Sequence, residues 1–360
     1  MSVPITDAGA LDSRLQALDR FGAIGVDTEF LRERTYYAQL CLLQISAPGD
    51  AFCVDTLAIP TPPAALVSLM QNPQVCKVIH AARQDLEVMQ PGYGAVNNVF
   101  DTQLAAALVG FAPQIGYGNL VENLLQVKLH KSQTRTDWSR RPLSPAQLEY
   151  AIDDVRHLLP LRELLSGRLR RLGRMSWFEA DSRADAAEPL QVDPATAWLR
   201  VKGLGDLDPA RTALARSLGQ WREQRAMQSD RPRGWILADI SLRDIVLRVP
   251  RSPDDLGRIA ELTDGIRAHS GRTLLELVAA ANIPDPAPPL PQRERPGRDY
   301  MDLVKHLGQV VRERAAALQL APEILATRRD LERVAGGARD GGVFDGWRRD
   351  VIGAPLLAAL

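Results

Sequence analysis

Asp27 and Glu29, in the stretch Gly25-Val26-Asp27-Thr28-Glu29-Phe30, are acids two residues apart at the end of an apolar run, Phe21-Gly22-Ala23-Ile24. On a strand, side chains alternate between faces, so both point to the same side. Two such carboxylates repel unless a proton or a cation sits between them, and acids are depleted in strands. The pair reads either as a solvated strand end running into a turn or as half of a divalent-cation site of hard oxygen ligands. More acids would complete such a site. Asp85, in His80-Ala81-Ala82-Arg83-Gln84-Asp85, falls in the first turn of a helix, where the dipole favours a carboxylate. Alone it reads equally as an ordinary helix-start acid, and His80 as a packing or hydrogen-bonding residue at a strand end. Tyr150 and Asp154, four apart, share one helical face, with Leu148, Ile152, Val155 and Leu159 roughly opposite. Leu158 and Leu161 flank Asp154, so the phenol and carboxylate lie on a partly covered face and need a partner there. Asp153 points elsewhere, to the surface.

The elements that must position these residues follow from local pattern. A helix near residues 8–20 leads into the Ile24 strand, and apolar strands follow at 40–45 and 51–55, split by the turn Pro48-Gly49-Asp50. Their short connections predict an antiparallel meander. Helices at 64–70, 83–89 and 102–109 then alternate with strands at 75–79 and 98–100, the pattern of an α/β layer. Ser144 and Pro145 open a long helix as N-cap and first-turn proline; it extends to about Leu172 with a kink or break at Pro160. Residues 174–208 are mixed and read as a linker. From Pro209 the pattern is wholly helical, in short amphipathic helices joined by turns such as Arg231-Pro232-Arg233-Gly234. Residues 284–298 hold six prolines and form a stiff extended linker. Residues 301–360 are a second, shorter helical set. Both sets place an Arg-rich helix before an apolar one, as a degenerate duplication would.

The chain has 360 residues, enough for two or three domains, and its 45% hydrophobic and 24% charged residues are those of a soluble globular protein. Its formal net charge is zero, so any binding to nucleic acid must come from local patches. Cys41, Cys53 and Cys76 lie in apolar runs without metal-ligand spacing and read as buried thiols of a reducing compartment. The N-terminus shows no secretion signal, and no run is long and apolar enough to span a membrane. A cytoplasmic location is expected.

Taken in order, the strand Asp27-x-Glu29, the helix-start Asp85 and Tyr150-x-x-x-Asp154 resemble the three motifs of the DEDD exonucleases, with the tyrosine marking the DEDDy branch. The flanking Asp27-Thr28-Glu29-Phe30-Leu31-Arg32, Thr35-Tyr36-Tyr37, Gln39-Leu40, His80-Ala81, Asp85-Leu86-Glu87, Lys131-Ser132 and Arg135-Thr136-Asp137-Trp138 are similar to the ribonuclease D family. Residues from about 209 to 281 resemble the HRDC domain, and the tail from about Arg298 resembles a diverged second copy. The resemblance implies a ribonuclease H-like α/β exonuclease domain, a mixed sheet flanked by helices, followed by two all-α HRDC-like domains. Their expected bounds are 1–173, 209–283 and 299–360, with linkers at 174–208 and 284–298.

The same resemblance implies a metal-dependent 3′–5′ exoribonuclease that releases nucleoside 5′-monophosphates from RNA 3′ ends, tRNA precursors among them. Two divalent cations, Mg2+ or Mn2+, about 3.5–4 Å apart would serve the attacking and leaving oxygens. Asp27 would bridge them, Glu29 and Asp154 would hold the nucleophile-side ion, and Asp85 the other. Tyr150 would orient the attacking water; with an ordinary pKa of about 10, a phenol is a positioner before it is a base. A monomer is implied, with no membrane partner. For substrate contacts, the basic loop Lys128, His130, Lys131, Arg135, Arg140 and Arg141, with Trp138 interleaved, offers phosphate contact and base stacking, and reads equally as a solvated loop with Trp138 packed inward. His80 and Tyr36 are further candidates, although Tyr36 and Tyr37 read equally as core. Residues 211–290 hold 12 arginines and 10 carboxylates, too even a balance to show strong nucleic-acid binding. A DNA exonuclease would share these motifs, since none of them reads the 2′-hydroxyl. A non-catalytic RNA-binding scaffold is the reading from another class, and the presence of all five site residues argues against it.

Overall fold

The computed structural model describes residues 3–18, 20–129, 136–205, 207–285, 287 and 297–360. Helix α1 (Ala8–Leu15), capped by the Asp7 side chain, precedes strands β1 (Ala23–Leu31), β2 (Gln39–Ala47) and β3 (Asp50–Val54). Next come α2 (Ala64–Gln71), β4 (Cys76–Ile79), α3 (Arg83–Tyr93), β5 (Val99–Asp101) and α4 (Thr102–Leu108). The strands form one sheet in the order β3-β2-β1-β4-β5. β2 and β3 pair antiparallel, while β1, β4 and β5 run parallel. β1 is thus the central strand of a mixed sheet. Its even-numbered residues Ile24 and Val26 pack with Leu43, Ile45, Val54 and the helices of one face. Gly25, Asp27 and Glu29 therefore turn to the other face.

That other face is covered by α6 (Pro145–Arg156) and α7 (Leu158–Arg171), after α5 (Tyr117–Leu125). Ser144 and Gln147 form a capping box at the start of α6, with Pro145 at the first turn. The long helix expected here is two helices, broken at His157. Two causes converge. Pro160 has no N–H to give the carbonyl four residues back. The Tyr117 hydroxyl also inserts into the ladder, donating to the Asp153 carbonyl (2.9 Å) and accepting from the His157 N–H (3.2 Å), the pair that a continuous helix would join directly.

Residues 175–187, read from sequence as part of a linker, form α8 (Met175–Ala187), whose Phe178 packs on Phe100 at 4.6 Å between ring centroids. Beyond a 3-10 turn at Pro194–Arg200 come α9 (Pro209–Ser229), α10 (Arg233–Ile236), α11 (Asp239–Arg248), α12 (Pro253–Leu256) and α13 (Asp264–Ala280). These close on a core that includes Leu214, Leu218, Leu242 and Ile245. The tail contributes α14 (Arg298–Leu318), α15 (Pro322–Leu325), α16 (Arg328–Ala335) and α17 (Ala354–Ala358).

The two helical sets share one frame. Their first three helices start at 209 and 298, 233 and 322, and 239 and 328, each pair 89 residues apart. Buried positions keep that spacing: Leu218 and Leu307, Ala226 and Ala315, Leu242 and Leu331. The fillings differ. Buried Arg222, paired with Asp239 at 2.6 Å, corresponds to buried Val311.

Two compact units result: Met1–Leu31, Leu40–Glu188 and Pro296–Leu360 form one, and Arg32–Gln39 with Pro189–Arg295 the other. The tail, expected from the sequence as a helical set of its own, has its own core around Leu307, Val311 and Leu331. It packs on α8: Trp347 stacks on Trp177 at 4.2 Å, and Arg348 forks onto Asp181 at 2.7 and 3.0 Å. Among the described residues, no helix is long and apolar enough to cross a membrane.

Candidate active site

Three ligand oxygens, one each from Asp27, Glu29 and Asp154, lie within 4.8 Å of one another. Their meeting requires α6 and α7 to come down onto β1, and Gly25 permits it. A Cβ at Gly25 would lie 2.3 Å from Ser46 Oγ and 3.2 Å from Leu158, so any side chain there would push the helices away. Ser46 Oγ in turn donates to the Val155 carbonyl at 2.8 Å, tying α6 to the sheet one residue past Asp154. The Tyr117 wedge fixes the same turn from the other side.

Asp85 reaches the site from α3. The turn before that helix holds Ala81 at φ 58°, a conformation rare for a side-chain-bearing residue. The Asp101 carboxylate stabilises it by accepting from the N–H groups of Ala81 (3.0 Å) and Ala82 (2.8 Å), while capping α4. Thr28, on the face opposite Asp27, donates its hydroxyl to Asp85 at 2.5 Å. The strand that carries two of the acids thereby also orients the third.

The electrostatics match this crowding. Burial first, then the charges of Asp85, Asp154 and Glu29, push Asp27 well above the usual carboxylate range. Glu29 is pushed up to about 8 by burial and by Asp154 and Asp85. Burial also raises Asp154 to about 7, against a hydrogen bond from Tyr150, and Asp85 to about 6, against the Thr28 bond. The Tyr150 phenol is driven upward by burial and by the charges of Asp154, Glu29 and Asp27, so it stays protonated and donates.

A model described as "3'-5' exonuclease" matches residues 2–170, and one described as "HRDC domain" matches 211–278. The chain is 39% identical to the ribonuclease D of Gluconacetobacter diazotrophicus over 99% of its own length and 92% of that protein's. The chain belongs to the ribonuclease D family. It is therefore an enzyme of the 3′–5′ exoribonuclease class. Among solved structures it is similar to Escherichia coli RNase D, an exoribonuclease involved in structured RNA processing, with TM-score 0.87, 28% identity, and coverage of 100% of this chain and 98% of that one. The catalytic core of RRP6 from Trypanosoma brucei shares the fold, at TM-score 0.61, 24% identity, and 78% and 79% coverage.

Divalent cations fit this donor set. All four acids offer hard oxygen ligands. Among the described residues none of them pairs with an arginine or lysine, so a cation would find their charge uncancelled.

The expected substrate contacts fare differently. Trp138 is 4% exposed, packed among Cys41, Leu42, Cys53 and Ile152 with its ring 6.1 Å from that of Tyr150. A ring so covered cannot take a base; it supports Tyr150 instead. His80 has both ring nitrogens engaged, Nδ1 with Thr102 Oγ1 and Nε2 with the Ile115 carbonyl, each at 2.9 Å. Burial lowers its pKa, and it serves as a brace at the end of β4. Tyr36 donates its hydroxyl to Glu223 at 2.6 Å, and the N–H groups of Tyr36 and Tyr37 both bond Asp230 at 3.0 Å. Arg141 turns inward and grips Asp55 through Nε (2.6 Å) and Nη2 (2.7 Å), fixing the loop before α6. Lys131 and Arg135, with His130, lie outside the described residues.

Gly25, Thr28, Ser46, Asp101 and Tyr117 shape the site without belonging to the acidic motifs. A glycine inside an apolar strand was a signal of close approach, and Asp101-Thr102 of a helix cap. Nothing local marks Tyr117.

Proposed function

We propose that the chain hydrolyses RNA from its 3′ end with two divalent cations, Mg2+ or Mn2+, held by Asp27, Glu29, Asp85 and Asp154, releasing nucleoside 5′-monophosphates. The observation that carries this is the convergence of the Asp27, Glu29 and Asp154 oxygens within 4.8 Å. When bound, the cation pair supplies charge stabilisation to the attacking and leaving oxygens of an in-line displacement. Asp27, whose carboxylate feels the other three acids, would be the shared ligand. Glu29 and Asp154 would hold the ion on the side of the attacking water, and Asp85 the other. Tyr150, protonated and hydrogen-bonded to Asp154, would position that water without taking its proton.

Trimming of structured precursors such as tRNA, by a monomer in the cytoplasm, is the setting proposed. It is supported by the likeness to E. coli RNase D over the full chain. The common frame of the helical sets supports reading 299–360 as a second, diverged HRDC-like set. A 5′-labelled RNA and its DNA equivalent, each incubated with Mg2+ or chelator, test the proposal. The expected result is a ladder shortening from the 3′ end of the RNA, abolished by chelator and by Asp27→Asn with the fold retained. Preference for DNA, or activity near wild type in the variant, would refute it.

A further inference from the structure

Gln44 is fully buried, and among the described residues neither its Oε1 nor its Nε2 has a hydrogen-bond partner. An amide unmet at both ends is rare in a folded interior. Its surroundings can be fixed from three directions. β2 lies between β3 and β1. Across β3, Gln44 stands opposite Cys53, and the Cys53 thiol, raised chiefly by burial, also feels the charges of Glu29 and Asp27. Towards β1, Ser46 shares the face of Gln44 by strand alternation, and its Oγ occupies the space a Gly25 Cβ would need. Gly25 shares its face with Asp27 and Glu29. Gln44 is therefore on the carboxylate face, flanking the β1 acids on the side of Cys53.

Sealed from solvent, this amide cannot meet RNA; it can only serve the groups that border it. A lysine or arginine in its place would cancel the acids' charge and compete with cations. An amide can orient a carboxylate and leave its charge intact.

We propose that Gln44 is a positioning residue of the active site, whose side-chain amide, unpartnered here, takes up a hydrogen bond to the Asp27–Glu29 pair when cations bind and holds their oxygens toward those cations. This rests on the cation-dependent reading above.

The test uses the full-length protein and Gln44→Met, which keeps the volume and removes the amide. Mn2+ binding is measured by calorimetry without RNA, melting temperature in chelator, and kcat and KM on labelled RNA. Expected are a melting temperature at or above wild type, Mn2+ affinity weakened by about tenfold or more, and a matching loss in kcat at unchanged KM. Affinity and kcat within about twofold of wild type, with a raised melting temperature, would show a merely misfit amide and overturn the proposal.

Wild-type protein labelled with 15N-glutamine gives a measurement independent of how Gln44→Met folds, with the Gln44 resonance identified by its loss in Gln44→Asn. Mg2+ should shift the side-chain NH2 signal and slow its exchange with water, and an unmoved signal would overturn the role. If wild type neither binds Mn2+ nor cleaves RNA, both readings fall. If it does both and Gln44→Met matches it, only the role of Gln44 falls.

Discussion

Replacing Glu29 by glutamine should stabilise the metal-free protein near neutral pH while removing most of its response to cations. Glu29 is raised from its ordinary value of 4.5 to about 8, by burial and by the charges of Asp154 and Asp85. The folded state thus binds this proton more tightly than the unfolded chain does. The associated stability is fully present below pH 4.5 and is lost progressively as pH rises to about 8. Between pH 5 and pH 7 the loss could reach about 2.5 kcal/mol at 1.36 kcal/mol per unit; screening at a partly exposed carboxylate reduces the expected figure to about 1–2 kcal/mol. In a chain of this length that corresponds to roughly 1–3 °C in melting temperature. Wild type and Glu29→Gln would be melted from pH 5 to pH 8, in chelator and in Mn2+. In chelator the variant should melt roughly 1–3 °C above wild type at pH 7 and close to it at pH 5. With Mn2+, wild type should gain markedly and the variant little. A variant less stable than wild type in chelator at pH 7, or one that gains as much from Mn2+, would refute the idea that crowded acids strain the empty site.

Tyr150→Phe should lower kcat by about a hundredfold or more while RNA affinity changes little; single-turnover cleavage and equilibrium binding separate the two, and a defect in binding alone would contradict a positioning role. Gly25→Ala places a Cβ 2.3 Å from Ser46 Oγ, so a loss of about 1–3 kcal/mol in denaturant unfolding is expected, with reduced cleavage as α6 shifts. Tyr117→Phe removes the hydroxyl that bridges Asp153 and His157. It should cost about 1–3 kcal/mol and slow cleavage, and unchanged stability would show the helix break to be set by Pro160 alone.

The sequence by itself determined what depends on near neighbours. Alternation by two put Asp27 and Glu29 on one face, a spacing of four put Tyr150 beside Asp154, and Ser144-Pro145 started α6 where the capping box forms. Only the tertiary structure decided which remote surfaces meet. Trp138 reads equally as a ring for a base and as one packed inward until β2, β3 and α6 enclose it, and His80 as a packing residue or a substrate contact until Thr102 and Ile115 take both nitrogens. The tail reads as separate until Trp347 finds Trp177. The frame shared by the helical sets was faint in the residues because a buried position can be filled by an ion-paired arginine, as at Arg222, or by an apolar side chain, as at Val311. Secondary structure answers to residues within about one helical turn. The acidic site is made of contacts between segments 57 to more than 100 residues apart, such as Thr28 with Asp85 and Ser46 with Val155, and no local pattern encodes those.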